Sequence, residues 1–553
     1  MTISERNDFM NTKMNSMRKL AAVMAVVSSV TSLTACGAAS TDEADSYTRG
    51  QNNVQYNSTE AAAGECAPAD YDEAPADNAD FEQNDEEYNY ISENGYTAVS
   101  SAPLSTFSAD VDTASYTNVR RMIDNGSDVP PDAVRIEEFI NYFDYDYTDP
   151  ADGEPFAVHT ELSDCPWNDE TELLMVGINT KGFDAVLDER PAMNLVFLID
   201  VSGSMYDDNK LPLVQKSFSM LTDNLTAADR VSIVTYAGSD EVVLEGADGN
   251  DRKKILRAIN DLEAGGSTAG AAGINTAYDI AQKYFIDGGN NRVILATDGD
   301  LNVGLSSESE LTRLIEEKRE SGVFLSVLGF GTGNYKDNRL EALADYGNGN
   351  YSYIDSEKEA KKVLVDEMSG TLFTVAKDVK FQLEFNPANV KGYRLIGYEN
   401  RVMAAEDFND DTKDAGEIGA GHSVTVLYEI VLADSKMELG ESKLKYASDS
   451  EGVMGDELLT VNIRYKEPEG SESKLLTYPV NKSLYSDKMS ADMNFASCVA
   501  EFGMLLRNSR YIGDVTYKDV SAQLSKYDYS DDDYKDEFIY LVNTMKRRDT
   551  NFQ

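Results

Sequence analysis

A group of oxygen-bearing side chains follows the apolar run Asn194–Ile199. The run leads directly into Asp200-Val201-Ser202-Gly203-Ser204, in which the alternate spacing puts the hydroxyl groups of Ser202 and Ser204 on the same side of the loop. Hydroxyl and carboxylate oxygens are the ligands that a hard divalent cation such as Mg²⁺ prefers. Taken alone, the motif is also compatible with an Asx turn whose serines cap a helix.

Two further loops offer the same kind of chemistry. Gly265-Gly266-Ser267-Thr268 is a loop of small residues that places a threonine before a predicted helix, and Thr297-Asp298-Gly299-Asp300 ends a later apolar run. Thr268 alone could be a helix N-cap, and Asp298 alone a loop carboxylate. We interpret Asp300 as a solvated turn acid.

The elements that must position these loops alternate between apolar strands and amphipathic helices. The predicted strands are Asn194–Ile199, Arg230–Tyr236, Arg292–Ala296 and Phe324–Phe330, and the predicted helices include Leu211–Leu225, Lys254–Leu262, Thr276–Phe285 and Glu308–Arg319. Strands buried on both faces and separated by helices predict an α/β fold with a doubly wound, Rossmann-like parallel sheet. Such a sheet binds ligands at the carboxyl ends of its strands, so we expect the three loops to meet there.

The three loops together resemble the von Willebrand factor type A (VWA) domain, over about residues 192–375. In that family they build the metal-ion-dependent adhesion site (MIDAS). The resemblance implies a metal site made by Asp200, Ser202, Ser204, Thr268 and Asp298, in which the two serines coordinate directly and the two aspartates act through water. The expected cofactor is Mg²⁺, or else Mn²⁺ or Ca²⁺, and an Asp or Glu of a partner protein is expected to complete the coordination.

The N-terminus has the order of a processing segment. A positively charged stretch precedes the apolar run Leu20–Val30, which is too short to span a bilayer comfortably. The run leads to Leu33-Thr34-Ala35-Cys36, which resembles the bacterial lipobox and implies cleavage before Cys36 and lipidation of its thiol. The alternative is an ordinary secretory signal cut near Ala35. We expect an extracytoplasmic protein that its N-terminal lipid anchors to the bacterial cell membrane.

Composition limits the classes of partner. The chain has 553 residues and a formal net charge of −49, which disfavours direct binding to nucleic acid or to anionic lipid headgroups. Besides Cys36, three widely spaced cysteines remain, which predicts neither a disulfide framework nor a thiol metal site.

The remaining patterns divide the chain into segments around the VWA domain. Strand patterns lie on both sides of that domain, and the first group is too short to be stable alone, so we predict that the VWA domain is inserted in one antiparallel β domain. The expected segments are a signal peptide (1–35), a disordered acidic linker (36–100), an N-terminal helical extension (101–150), a β segment (151–190), the VWA domain (191–376), a β-sandwich-like domain (377–482) and a C-terminal helical region (483–553).

Flanking stretches narrow the resemblance further. Leu104-Ser105-Thr106-Phe107, the run Asp110–Tyr116 and the run Arg135–Phe143 look like the N-terminal extension of YfbK-type bacterial VWA lipoproteins. The C-terminal region resembles the tail domain of the same group. The resemblance therefore covers nearly all of the chain that is expected to be ordered.

These features predict a membrane-anchored surface lipoprotein that binds a protein ligand through its metal site. The alternative is an envelope assembly or signalling scaffold that engages a neighbouring membrane protein. We do not expect an enzyme, because Ser204 lacks the G-x-S-x-G elbow of hydrolases. The two histidines, His159 and His422, lie on strand patterns outside the central domain, which disfavours a Ser-His-Asp triad. No nucleotide is expected either, since neither a P-loop nor a dinucleotide fingerprint occurs.

Overall fold

The computed structural model describes residues 86–109, 112–181, 190–266, 270–299, 308–333, 335–367, 374–413, 415–440, 455–468 and 470–552. Cys36, Thr268 and Asp300 lie outside these ranges, as do the predicted signal peptide and most of the predicted linker. None of the helices within the ranges combines the length and the apolar character that crossing a membrane requires.

The described ranges contain strands and helices in the following order. The strands are β1 (Thr97–Ala98), β2 (Leu104–Ser108), β3 (Ala157–Asp164), β4 (Glu172–Asn179), β5 (Met193–Asp200), β6 (Arg230–Tyr236), β7 (Asp240–Asp248), β8 (Asn290–Thr297), β9 (Phe324–Phe330), β10 (Tyr351–Ile354), β11 (Thr374–Phe385), β12 (Val390–Ile396), β13 (Gly416–Gly419), β14 (Ser423–Leu432), β15 (Glu457–Lys466) and β16 (Ser473–Asn481). The helices are α1 (Ala114–Asp124), α2 (Ile136–Asn141), α3 (Leu211–Leu221), α4 (Arg252–Asn260), α5 (Gly270–Lys283), α6 (Glu308–Arg319), α7 (Asp337–Tyr346), α8 (Glu357–Lys361), α9 (Ala491–Leu506), α10 (Tyr517–Leu524) and α11 (Asp533–Phe552).

The central domain is built on a six-stranded sheet in the order β10-β9-β8-β5-β6-β7. Neighbouring strands from β10 to β6 are parallel, which confirms the predicted α/β fold. The edge strand β7 differs from the all-parallel prediction because it pairs antiparallel to β6. A tight turn joins the two strands, and only Leu244 and Ala247 of β7 are buried, so its sequence lacks the continuous apolar run that marks the buried strands.

Alternate residues of β5 enter two different cores. Leu195, Phe197 and Ile199 pack into the core on one face of the sheet, while Val196 and Leu198 pack into the core on the other. The Phe197 ring stacks on that of Phe218 in α3, with 4.2 Å between ring centroids. Burial on both faces explains the uninterrupted apolar sequence of this strand, which ends at Asp200.

The flanking β domain consists of two antiparallel sheets that share one core. One sheet has the order β1-β12-β14-β4-β3, and in the other β11 and β15 are central. Strand β4 precedes the central domain and β14 follows it, yet they pair along their length, with Val176 opposite Val426. The central domain is therefore inserted in a β domain, as the sequence predicts.

Helices from the two ends of the chain form one layer on the β domain. Helices α1 and α2 pack with α9, α10 and α11 in a common core, which also receives Leu173, Met175, Ile396 and Leu427 from the sheet below. The sequence predicts helical N- and C-terminal segments, but the structure shows that neither has a core of its own.

Two boundaries differ from the sequence predictions. The predicted linker extends to residue 100, yet Glu86 pairs with Arg121 at 3.1 Å and β1 pairs with β12. The predicted N-terminal helical extension begins instead with β2, which pairs with β11. These segments are held by backbone hydrogen bonds and by ion pairs. Such contacts do not require a sustained periodic pattern of apolar residues, so the sequence pattern did not reveal them.

Buried ion pairs join the helical layer to the central domain. The guanidinium group of Arg135 contacts Glu138 within the layer and Asp337 of α7, the latter at 2.5 Å. Arg120 of α1 contacts Asp355 at 2.6 Å and Glu359 of α8 at 2.8 Å. Both arginines are almost completely buried, so these contacts fix the central domain against its surroundings.

Candidate metal centre

The first loop of the site is held by its own aspartate. Asp200 is fully buried at the end of β5, and its Oδ1 accepts a hydrogen bond of 2.8 Å from the backbone N–H of Ser202. A short 3₁₀ turn, Gly203–Tyr206, follows, but the side chain of Ser202 does not cap it. The Oγ atoms of Ser202 and Ser204 instead lie 3.0 Å apart. The Asp200 side chain therefore forms an Asx-type turn. The side chain of Ser202 contacts Ser204 and does not cap a helix.

The second loop is attached to the first by backbone hydrogen bonds. The N–H of Gly203 donates to the carbonyl of Gly266 at 3.0 Å, and the N–H of Gly265 donates to the carbonyl of Val201 at 2.7 Å. Gly266 has a φ of +86°, a conformation that favours glycine. Thr268 lies outside the described residues, but Gly265 and Gly266 of the same loop border the Asp200 loop.

The third loop brings a second carboxylate to the same edge. Asp298 follows β8, which lies beside β5, and is 4% exposed. The neighbouring Thr297 hydroxyl lies 3.4 Å from Oδ2 of Asp200 and accepts a hydrogen bond of 3.2 Å from the N–H of Gly299. Gly299 has a φ of +93°, and a Cβ there would lie 2.8 Å from the backbone nitrogen of Lys336, so this loop requires glycine.

Burial and charge make the site suited to a cation. Burial raises the pKa of Asp200 to about 6, the hydrogen bonds from Ser202 oppose that rise, and the charge of Asp298 adds to it. A positive ion between the loops would relieve both effects.

The donor geometry also fits a hard divalent cation. Mg²⁺ binds oxygen at 2.0–2.1 Å, which puts neighbouring octahedral ligands about 3 Å apart, and the hydroxyl groups of Ser202 and Ser204 have this separation. Ser202 is buried whereas Ser204 is exposed, so the group opens toward solvent on the Ser204 side. Four of the five residues predicted for the site therefore lie at one sheet edge, and the fifth, Thr268, lies outside the described residues.

Lys210 is a residue of this site that the sequence reasoning missed. Its Nζ lies 3.0 Å from Oδ2 of Asp298, and its side chain is 10% exposed. Lys210 is also the N-cap of α3, and a cation is disfavoured at the positive end of a helix dipole. That mismatch between residue type and position is the signal by which the sequence could have identified it.

A second group of carboxylates has an internal explanation. Oxygens of Asp112, Glu138 and Glu341 lie within 4.8 Å of one another, all buried. However, Arg401 contacts Asp112 at 3.0 Å, and Arg135 contacts Glu138 and Glu341. Guanidinium groups thus already provide the positive charge, and we interpret the group as part of the ion-paired junction between the domains.

Three family models match successive parts of the chain. They are "von Willebrand factor" over residues 82–175, "von Willebrand factor type A domain" over residues 194–366, and "Uncharacterized protein YfbK, C-terminal" over residues 370–547. The second of these contains the loops described above.

Individual proteins show the same relationship. The chain is 46% identical over 467 residues to "Uncharacterized protein YfbK" of Escherichia coli (strain K12), covering 82% of this chain and 80% of the relative. It is 26% identical over 296 residues to "Uncharacterized protein sll0103" of Synechocystis sp., covering 53% of this chain and 66% of the relative. A solved structure, "von Willebrand factor type A from Catenulispora acidiphila", matches with 17% identity and a TM-score of 0.38, covering 65% of this chain and 82% of that one.

Proposed function

Because the chain belongs to the YfbK family of VWA-domain proteins, we propose that it binds a protein ligand through a divalent cation held by Asp200, Ser202, Ser204, Thr268 and Asp298. VWA domains generally mediate protein interactions, and many do so through a metal at this position. The observation that carries the proposal is the approach of two serine hydroxyls and two buried aspartates from separate loops at one sheet edge.

The cation supplies Lewis acidity toward an anionic ligand, and Mg²⁺, Mn²⁺ and Ca²⁺ all accept this donor set. Asp200 orients the first loop through the N–H of Ser202, and the hydroxyls of Ser202 and Ser204 are neutral donors. Neutral donors leave positive charge available to a carboxylate of the partner. We therefore propose that an Asp or Glu side chain of another protein is the recognised group.

We propose a binding role and not a catalytic one. His159 stacks on the ring of Tyr147 at 4.9 Å in the β domain, and His422 directly precedes β14 in the same domain. These are the two histidines of the chain, and neither belongs to the domain that holds Ser204. Their positions in the β domain support a binding role for the site that contains Ser204.

We further propose that lipid on Cys36 anchors the protein to the outside of the bacterial cell membrane. The support is the order of charged, apolar and small residues that ends at Leu33-Thr34-Ala35-Cys36. Metabolic labelling with a fatty-acid analogue should mark the wild type and not Cys36→Ser. Equal labelling of both proteins would remove the anchor from the proposal.

Titration calorimetry and thermal melting test the metal site. With all variants in a Cys36→Ser background, the melting temperature of the full chain should rise with increasing Mg²⁺ concentration, since only the folded state binds the ion. Asp200→Ala should abolish this response without lowering the melting temperature of the metal-free protein, because it also removes a buried carboxylate next to Asp298. Asp261→Ala, at an exposed acid of the same domain, is the matched control and should respond as wild type.

Two results would contradict the metal assignment. One is a wild type that binds none of Mg²⁺, Mn²⁺ and Ca²⁺ at millimolar concentration, and the other is an Asp200→Ala variant that binds them equally well. Crosslinking on intact cells then identifies the partner, since proteins recovered with wild type but lost with Asp200→Ala depend on the metal. Recovery of only a neighbouring envelope protein would favour a scaffold role over adhesion to an external ligand.

A further inference from the structure

Lys210 is a buried lysine at the N-terminus of a helix, and both features are unfavourable for a positive charge. It occupies the N-cap position of α3, where the helix dipole is positive, and it is 8% exposed. Burying an ammonium group costs free energy unless a negative partner compensates it. Asp298 provides that partner, with 3.0 Å between Nζ and Oδ2.

The loop after β9 holds the lysine side chain in place. A Cβ on Gly331 would lie 2.4 Å from Cε of Lys210 and 2.7 Å from its Cγ, so the aliphatic part of the side chain lies directly against the Gly331 backbone. Gly331 has a φ of +77°, which other residues rarely adopt. The backbone N–H of Lys210 also donates to the carbonyl of Asp207 at 3.0 Å. The ammonium group is thus fixed at the site by packing as well as by charge.

The charges at the site do not balance once a divalent cation is added. Among the described residues of the site, Asp200 and Asp298 contribute two negative charges and Lys210 contributes one positive charge, so a divalent ion would leave this group with a net charge of +1. A carboxylate from a ligand would return the sum to zero. Without Lys210, the metal alone would neutralise the two aspartates, and the attraction for a further anion would be weaker.

We propose that Lys210 is a built-in counter-ion that weakens binding of the metal alone and couples metal uptake to binding of a carboxylate ligand. The inference rests on the proposed metal site and concerns how that site is regulated. Lys210 opposes the cation by its charge and by its contact with Asp298. A carboxylate offsets that opposition, so each ligand raises the affinity for the other by the same factor.

Calorimetric titration of Mg²⁺ into the full chain, with acetate as the carboxylate probe, tests the proposal. All variants carry Cys36→Ser, and chloride replaces acetate at equal ionic strength in the reference buffer. Acetate should tighten Mg²⁺ binding by the wild type. Lys210→Met keeps the packing against Gly331 but removes the charge, so it should bind Mg²⁺ at least about tenfold more tightly in chloride and lose most of the acetate effect.

Two further variants separate charge at the site from general effects. Lys210→Arg retains the positive charge and should restore both the weaker Mg²⁺ affinity and the acetate effect. Lys362→Met is the matched control, because Lys362 is also a buried lysine of the same domain but pairs with Glu367. It should lower the melting temperature with and without Mg²⁺ and leave the Mg²⁺ affinity unchanged.

The outcomes distinguish this inference from the proposed function. If the wild type binds Mg²⁺ and Lys210→Met binds it equally or more weakly, the counter-ion role is wrong while the metal site stands. Tighter Mg²⁺ binding by Lys210→Met than by the wild type, together with loss of the acetate effect, would support the role of the lysine in opposing the metal. If neither protein binds Mg²⁺ in either buffer, both the metal site and the inference fail.

Discussion

Glu501 is a buried carboxylate whose removal should stabilise the protein at alkaline pH. It lies in α9 within the helical layer, is 2% exposed, and its Oε2 has no hydrogen-bond partner among the described residues. Burial raises the pKa of Glu501 to about 8, although the charge of Lys526 opposes the rise. Glu501→Gln removes the charge and nearly preserves the shape.

The sign of the effect follows from the two protonation equilibria. Below the ordinary pKa of 4.5, Glu501 is protonated in the folded and the unfolded chain, so the charge has no effect on stability. Between about 4.5 and 8 the folded state keeps a proton that the unfolded state has released, so the stability of the wild type relative to the glutamine variant falls as pH rises. Above about 8 the full penalty is present. A tenfold change in acid dissociation constant corresponds to about 1.4 kcal/mol, so a rise in pKa from 4.5 to about 8 corresponds to a penalty on the order of 5 kcal/mol.

Urea unfolding at pH 5 and pH 9 measures this difference. Trp167 is the single tryptophan of the chain and lies in the same core as α9, so its fluorescence reports on this layer. Glu501→Gln should unfold near the wild-type midpoint at pH 5 and at a clearly higher urea concentration at pH 9. Asp514→Asn, at an exposed acid of the same layer, is the control and should show no such trend. A difference between Glu501→Gln and wild type that is the same at both pH values would refute the reasoning.

Two other substitutions test the junction and the third loop of the site. Arg135→Met leaves the buried carboxylates of Glu138 and Asp337 without their guanidinium partner, and it should lower the free energy of unfolding in urea by about 3–5 kcal/mol. The control is Arg252→Met, which removes an exposed pair with Asp223 and should lower the free energy of unfolding by less than about 1 kcal/mol. Equal costs would mean that the junction adds nothing beyond surface pairing. Gly299→Ala should cost about 1–3 kcal/mol and weaken the Mg²⁺-dependent rise in melting temperature, because a Cβ there meets the backbone of Lys336. Gly455→Ala, where a Cβ has open space, is its control, and an unchanged metal response in Gly299→Ala would contradict the geometry given for that loop.

The sequence by itself determined the elements whose burial is uniform. Strands β6 and β9 have the predicted bounds, and β5 extends its predicted run by one residue at each end. Strands that are buried on both faces are predominantly apolar, which makes them visible in the sequence. The sequence also predicted the start of the last helix correctly. Asp532 accepts hydrogen bonds from the N–H groups of Tyr534 and Lys535, so the acidic run before α11 acts as a helix start, as predicted.

Only the tertiary structure decided which distant segments pair. Strands β1, β2 and β7 have polar or short sequences, and each exists because another strand offers free backbone groups beside it. A backbone hydrogen bond carries no sequence signature, so an alternation of apolar residues cannot predict such edges. The same holds for the helical layer, in which α2 and α9 are separated by more than 300 residues yet share one core.

Some contacts of the candidate metal site could likewise be predicted from the sequence, and others depend on the tertiary structure. Sequence spacing identified Asp200, Ser202 and Ser204 because all three lie on one loop, where chain geometry alone sets their distances. The contact of Lys210 with Asp298 joins side chains 88 residues apart, and it depends on the order of β5 and β8 in the sheet and on the absence of a side chain at Gly331. Charge interactions act through space and not along the chain, so the charge balance of the site became known only when the folded sheet brought its strand ends together.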